Sequence, residues 1–141
     1  MEDHEEERVE LRAMKFAESY YGKSGWKVKN VSRIGGEHAG YDLFLEKGSE
    51  QRKVEVKGCR KLYGIPDFYH AEIDRKSKRL VADELLVVYF LPGRKRKLAI
   101  IRREDILPDN IVPKLGYRLR KFKNARVMKK FFVEIAGMPP D

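Results

Sequence analysis

The order of helical and strand-like segments predicts an α/β protein, with a central mixed sheet flanked by helices. Small and apolar side chains recur at helical spacing over about residues 5–22 and predict a first helix. Short stretches with β-branched and aromatic content predict strands at 26–32, 41–46, 51–58, 84–91 and 97–102. The polar connection Lys47–Glu50 contains a glycine and joins the second and third of these strands as a β-hairpin.

The remaining predicted elements lie beside the sheet and after it. Pro66 is placed to open a second helix through about residue 80, because proline is favoured in the first turn of a helix. Leu115–Phe122 alternates in a strand-like way. Asn124 is placed to cap a last helix that ends at Gly137.

The net charge of +9 is distributed unevenly along the 141 residues. Residues 1–50 contain 8 Lys and Arg against 11 Asp and Glu, whereas residues 51–141 contain 23 against 11. A basic region of this size attracts polyanions, so nucleic acid or another anionic surface is the expected partner class. From charge alone, a well-solvated surface of the kind found in thermostable proteins explains the composition equally well.

The single cysteine, Cys59, fits a reducing intracellular setting and allows no internal disulfide or Cys-based zinc site. The first ten residues are acidic and lack the apolar stretch of a secretion signal. The longest apolar run, Leu85–Leu91, is far too short to span a bilayer. We therefore expect a cytoplasmic protein with no membrane partner.

Two carboxylates are predicted to face each other across the hairpin. If the turn is Lys47–Glu50, residue 46 opposes residue 51, and the same register places Asp42 opposite Glu55. Their Cβ atoms would then be about 5 Å apart, a repulsive arrangement unless a cation lies between them. Mg²⁺ takes one or two carboxylates and accepts phosphate oxygens in its remaining positions, and Mn²⁺ is expected to substitute for it. Lys57 projects from the same face as Glu55 and could hold an attacking water or neutralise charge on a phosphate.

An ordinary sheet face is the alternative explanation for this pattern. Glu-x-Lys is common in exposed strands, and Glu55-Val56-Lys57 alone fits a salt-bridged surface better than a site. The facing Asp42, the glycine-containing loop before it and the apolar strand context reverse that preference.

These residues resemble a known family. Tyr41-Asp42 and Val54-Glu55-Val56-Lys57-Gly58 resemble the core of the PD-(D/E)XK nuclease superfamily, which includes restriction endonucleases and Holliday-junction resolvases. Tyr41 stands where the family motif has proline. The chain is more similar still to a nuclease-like domain of unknown function found alone or beside helicases. That closer resemblance covers about residues 9–90.

The resemblance implies a restriction-endonuclease-like core with a mostly four-stranded mixed sheet over residues 1–106. Residues 107–141 would form a C-terminal extension packed on the same domain. It also implies Mg²⁺-dependent phosphodiester cleavage, with Asp42, Glu55 and the Val56 carbonyl as metal ligands and Lys57 as a catalytic residue. Counting along the family pattern places its second-helix glutamate at Glu72, although the flanking residues differ.

A further acid is expected on the first helix. Glu10 falls inside the arc of the helix that is predicted to pack on the sheet, whereas Glu18 lies outside it. An acid amid apolar residues needs a cation or a buried hydrogen-bond partner. The family pattern also matches at Val9-Glu10, so Glu10 is the expected additional metal ligand. The alternative is a partly exposed Glu10 paired with a Lys or Arg.

Contacts to nucleic acid are expected from basic residues outside the metal site. Arg75, Lys76 and Arg79 are the primary candidates, with weaker expectations for His38 beside Asp42 and for Glu72. Such clusters contact phosphates and do not by themselves read a sequence.

The leading hypothesis is a metal-dependent endonuclease that acts on double-stranded or branched DNA. It could act as a homodimer or together with a helicase. One alternative is a catalytically inactive nucleic-acid-binding module on the same fold, and another is a helicase-associated subunit.

Overall fold

The computed structural model describes residues 2–32, 40–113, 116–120, 122 and 125–135. The helices are α1 (Glu2–Lys23) and α2 (Ala125–Met128). The strands are β1 (Lys27–Asn30), β2 (Leu43–Lys47), β3 (Glu50–Cys59), β4 (Ile73–Asp74), β5 (Arg79–Leu80), β6 (Glu84–Leu91), β7 (Lys95–Arg102), β8 (Ile111–Pro113), β9 (Tyr117–Leu119) and β10 (Phe132–Val133). The first helix, the hairpin and the strand at 84–91 therefore lie where they were predicted.

Six strands form the main sheet, in the order β1-β2-β3-β6-β7-β10. β3 and β6 are parallel and the other four pairs are antiparallel, which confirms the predicted mixed sheet. The sheet has six strands instead of the expected four because β1 and β10 add to its two edges. Two short hairpins, β4–β5 and β8–β9, lie outside it.

The two faces of the main sheet are covered differently. α1 packs on one face, and its buried residues Val9, Ala13, Ala17 and Tyr21 join a core with alternate side chains of β2, β3 and β6. The opposite face is covered by the segment from Ile65 to Ala82 and by the chain after β7. The candidate acids lie on this second face, away from α1.

The helix predicted from Pro66 to about residue 80 is wrong. This segment forms a 3₁₀ turn at His70–Glu72 and the β4–β5 hairpin. The carboxylate of Asp74 accepts hydrogen bonds from the backbone N–H groups of Lys76 (2.9 Å) and Ser77 (3.3 Å). Such local bonds favour a turn over a helix, and they outweigh the helix-start signal of Pro66.

The last predicted helix is also wrong beyond its first turn. α2 is four residues long, a 3₁₀ turn follows, and β10 then pairs with β7 through Phe132 opposite Ala99. The Phe132 ring contacts the rings of Tyr63 and Tyr89, and this packing on the sheet favours the extended chain. The proposed cap, Asn124, lies outside the described residues. The strand predicted at 115–122 is present as the shorter β9.

In the portion of the chain that the structure describes, no helix is long and apolar enough to cross a membrane.

Candidate active site

The hairpin register places Asp42 beside Glu55, as predicted. Leu43 pairs with Val54 in the β2–β3 ladder, so the next position brings Asp42 opposite Glu55. The Asp42 N–H donates to the Val54 carbonyl (2.9 Å), which continues the ladder past the end of β2. The Val56 N–H then donates to Oδ2 of Asp42 (2.9 Å). These two bonds hold the Asp42 carboxylate against β3.

The Glu55 carboxylate is fully buried. Its side chain has 0% exposure, and neither oxygen has a hydrogen-bond partner among the described residues. The nearest opposite charge is the ammonium of Lys57, at 3.6 Å. A buried carboxylate without hydrogen bonds is costly, so it needs a proton, a cation or a functional reason.

The ammonium of Lys57 lies at the centre of the cluster. Nζ is 3.0 Å from Oε1 of Glu72 and donates to the Asp67 carbonyl at 3.2 Å. It lies over the ring of Phe68 at 5.0 Å and over the ring of Tyr69 at 5.5 Å. Because the side chain is only 6% exposed, these contacts replace most of its hydration. Lys57 is therefore a cation fixed in position.

Glu72 belongs to this cluster and not to an outer nucleic-acid-binding surface, where it was predicted. It is 3% exposed, and its Oε1 accepts hydrogen bonds from Lys57 and from the Tyr69 N–H (2.8 Å). The prediction placed it on a helix, but it ends a 3₁₀ turn that folds over the sheet. Only the family pattern pointed to Glu72, because the contact joins residues 15 positions apart.

The charges of the cluster shift one another's protonation. Burial is the main cause that raises the pKa of Glu55 well above 4.5, and the neighbouring Glu72 and Asp42 carboxylates raise it further. Burial alone would lower the pKa of Lys57, but Glu55, Glu72 and Asp42 outweigh it and the pKa is raised. Burial would raise the pKa of Glu72, but the neighbouring Glu55 carboxyl, the Lys57 charge and the Tyr69 N–H hold it below its usual value. Lys57 is therefore charged at neutral pH.

We expect Glu55 to make the metal-free fold less stable as the pH rises. A carboxyl whose pKa is raised by folding contributes stability below its unfolded value of about 4.5 and loses it as the pH rises through its folded value. The pKa of Glu72 is lowered, so the stability that this residue contributes is lost only as the pH falls below about 4.5. Glu72 therefore does not affect the comparison at higher pH. The free energy of unfolding of Glu55→Gln, relative to wild type in EDTA, should rise between about pH 5 and pH 8. Urea unfolding across that range measures it, and a constant difference would contradict the shift.

The residues present fit a divalent cation held by Asp42 and Glu55. The two oxygens of Glu55 need a partner, and Asp42 is beside them with one oxygen bound to the Val56 N–H. Within the described ranges no group of three His, Cys, Asp or Glu side chains is arranged to hold a metal. A pair of carboxylates suffices for Mg²⁺, which keeps several waters. The Val56 carbonyl as a further ligand stays a prediction.

Glu10 does not lie where the helical wheel placed it. It is exposed on α1, and this helix packs on the face of the sheet opposite Glu55. Near its start α1 contacts the sheet through Val9 and Ala13, where a Cβ at Gly58 would meet both side chains within 3 Å. The buried residues Val9, Ala13, Ala17 and Tyr21 are four positions apart, so their line drifts around the helix by about 40° per step. On the helical wheel Glu10 falls between Ala17 and Tyr21, but along the helix it lies about two turns before Ala17, where the buried residues are Val9 and Ala13.

The other predicted residues lie outside the cluster. Glu18 accepts a hydrogen bond from Asn30 (3.0 Å). Arg75 and Lys76 are exposed in the β4–β5 turn, and Arg79 is partly exposed on β5. These positions are accessible to phosphates, and the contacts of Arg75, Lys76 and Arg79 with nucleic acid stay a prediction. The prediction for His38 falls outside the described residues.

No protein-family model matches the chain, and no curated protein matches it significantly in sequence. Among solved structures, the chain is similar to Hjc, a Holliday junction resolvase from the archaeal hyperthermophile Archaeoglobus fulgidus. The similarity covers 89% of this chain and 94% of that one, with 16% identity and a TM-score of 0.47.

Proposed function

We propose that this protein is a metal-dependent endonuclease that hydrolyses phosphodiester bonds in DNA. The observation that carries the proposal is the buried Glu55 carboxylate, whose oxygens have no hydrogen bond from the described residues while Asp42 and Lys57 lie beside it. A merely structural ion pair would bury both oxygens with hydrogen-bonded partners. A pair of carboxylates next to a fixed ammonium instead suits a site that holds a cation and a phosphate together.

Each residue of the cluster has a separate part in this reaction. Asp42 and Glu55 would hold Mg²⁺, which supplies charge neutralisation and activation of water when it is bound. Lys57 keeps its proton, so it stabilises negative charge on the phosphate and does not act as a base. Glu72 is a positioning residue, because its Oε1 lies 3.0 Å from the Lys57 ammonium and holds it in place.

The charge of the chain supports nucleic acid as the substrate. Lys and Arg outnumber Asp and Glu by 31 to 22, and the excess lies after residue 50. Exposed Arg75 and Lys76, in the turn after Glu72, are suited to the phosphates of a strand that enters the site. Binding should therefore weaken as the salt concentration rises.

A cleavage assay tests the proposal. Wild type, Asp42→Asn and the control Asp109→Asn, an exposed aspartate outside the cluster, are incubated with duplex, branched and single-stranded DNA. We expect products with Mg²⁺ or Mn²⁺ and none in EDTA. The rate should fall at least ~100-fold in Asp42→Asn, since an amide is a weaker ligand for a hard cation, and stay unchanged in the control.

Salt-sensitive DNA binding without any product would leave the protein as a non-catalytic binding module. Equal cleavage by wild type and Asp42→Asn would also overturn the assignment of the site.

A further inference from the structure

Tyr69 presents an exposed aromatic ring at the edge of the candidate active site. Its side chain is 64% exposed, more than the other exposed large hydrophobic residues of the described chain, Leu11 and Leu107. The ammonium of Lys57 lies 5.5 Å from the centre of the ring. The ring is therefore adjacent to any phosphate that contacts Lys57.

The ring is carried by a backbone that is held on both sides. Phe68 exchanges two backbone hydrogen bonds with Tyr117, at 2.7 and 2.8 Å. The His70 ring packs edge-on against the Tyr117 ring at 5.5 Å. The Tyr69 N–H itself donates to Glu72, the residue that holds Lys57. The position of the ring is thus tied to the position of the ammonium.

A fixed and exposed aromatic ring beside a phosphate site is suited to stacking on a nucleobase. Every base has a π-face, and stacking on an aromatic side chain contributes substantially to binding of single strands. Inside a continuous duplex, however, both faces of each base are covered by its neighbours. Only an unpaired or extruded base offers a face to a protein side chain.

We infer that Tyr69 stacks on an unpaired base next to the scissile phosphate. The preferred substrate class is then nucleic acid with an unpaired nucleotide at the cleavage point, such as a bulge, a flap or a single-stranded end. This inference rests on the proposed nuclease function for the identity of the ligand. The stacking itself is a binding property that does not require cleavage.

Binding in EDTA tests the inference separately from catalysis. Fluorescence anisotropy measures the affinity for a continuous duplex and for the same duplex with one unpaired 2-aminopurine, whose fluorescence falls when it stacks. Wild type should bind the bulged DNA about 10-fold more tightly and quench the 2-aminopurine. Tyr69→Ala should lose both the preference and the quenching, because the ring is absent.

Two further variants separate stacking from other roles of the residue. Tyr69→Phe should keep the preference, since stacking needs the ring and not the hydroxyl. Leu107→Ala, an exposed apolar residue that is 53% exposed, should behave as wild type. Equal loss of affinity for both DNAs in Tyr69→Ala, or a preference that survives in it, would overturn the inference.

Cleavage of the same two DNAs in Mg²⁺ distinguishes this inference from the proposed function. If neither DNA is cut but the preference still depends on Tyr69, stacking stands and the nuclease assignment fails. If both are cut at equal rates and Tyr69→Ala changes neither rate nor binding, the nuclease assignment stands and stacking is overturned.

Discussion

Glu55→Gln is expected to abolish DNA cleavage while leaving the protein at least as stable as wild type. The carboxylate is one of two that would hold the divalent cation, and an amide of the same shape binds such a cation far more weakly. We expect cleavage in Mg²⁺ to fall at least ~1000-fold, which corresponds to about 4 kcal/mol of lost transition-state stabilisation.

Although Glu55→Gln should lose activity, its free energy of unfolding should equal or exceed that of wild type. The buried Glu55 carboxylate has no hydrogen bonds from the described residues, and its pKa is raised because burial disfavours the charged form. A neutral amide removes this cost, and its N–H groups can donate to the carboxylates of Asp42 and Glu72 beside it. Lys57 keeps its partner Glu72 at 3.0 Å, so no ammonium is left unpaired.

Parallel assays on one preparation measure both effects. Cleavage rates and urea unfolding in EDTA at pH 7.5 are compared for wild type, Glu55→Gln and Glu46→Gln. Glu46 is exposed on β2, so the same chemical change there should alter neither property. A stabilised and inactive Glu55→Gln identifies a functional carboxylate. Loss of stability together with activity would instead indicate that Glu55 holds the fold through Lys57.

The sequence was sufficient for the part of the site that depends on local geometry. Strand alternation has a period of two, and a polar turn of known length fixes the register of a hairpin. These two rules placed Asp42 opposite Glu55 and placed Lys57 on the same face as Glu55, as the ladder and the 3.6 Å ion pair confirm. The β-branched and aromatic content of residues 84–91 likewise gave the bounds of β6, which is buried along nearly its whole length.

The parts of the prediction that failed depend on contacts between distant residues. Glu72 reaches Lys57 only because the chain folds back over the sheet through a 3₁₀ turn, and no local pattern encodes that path. Glu10 was misplaced because a helical wheel assumes a contact line parallel to the helix axis, whereas the line of buried residues on α1 drifts around that axis. The helix expected after Pro66 gave way to the turn that the Asp74 side chain stabilises.

Gly116→Ala is expected to reduce cleavage strongly by displacing the segment that carries Glu72. A Cβ at residue 116 would overlap the carbonyl oxygen of Phe68 and lie 3.2 Å from its carbonyl carbon. Such an overlap with backbone cannot be relieved by a rotamer change, so one of the two segments must move by about 1 Å. The bonds that Phe68 exchanges with Tyr117 should then weaken, and Glu72 should shift relative to Lys57.

A shift of this size is costly for catalysis because the cluster works by fixed geometry. Displacing a catalytic group by about 1 Å can lower a rate ~100-fold, whereas overpacking of this kind costs about 1–3 kcal/mol of stability. Gly22→Ala is the matched control, since it adds the same methyl group at a helical position with nothing within 4 Å and should stabilise slightly. Cleavage rates and urea unfolding of both variants measure the contrast. If folded Gly116→Ala cleaves DNA as fast as wild type, the placement of Phe68–Glu72 is not needed for catalysis. If its activity falls well beyond its loss of stability, the contact between Glu72 and Lys57 contributes to the reaction.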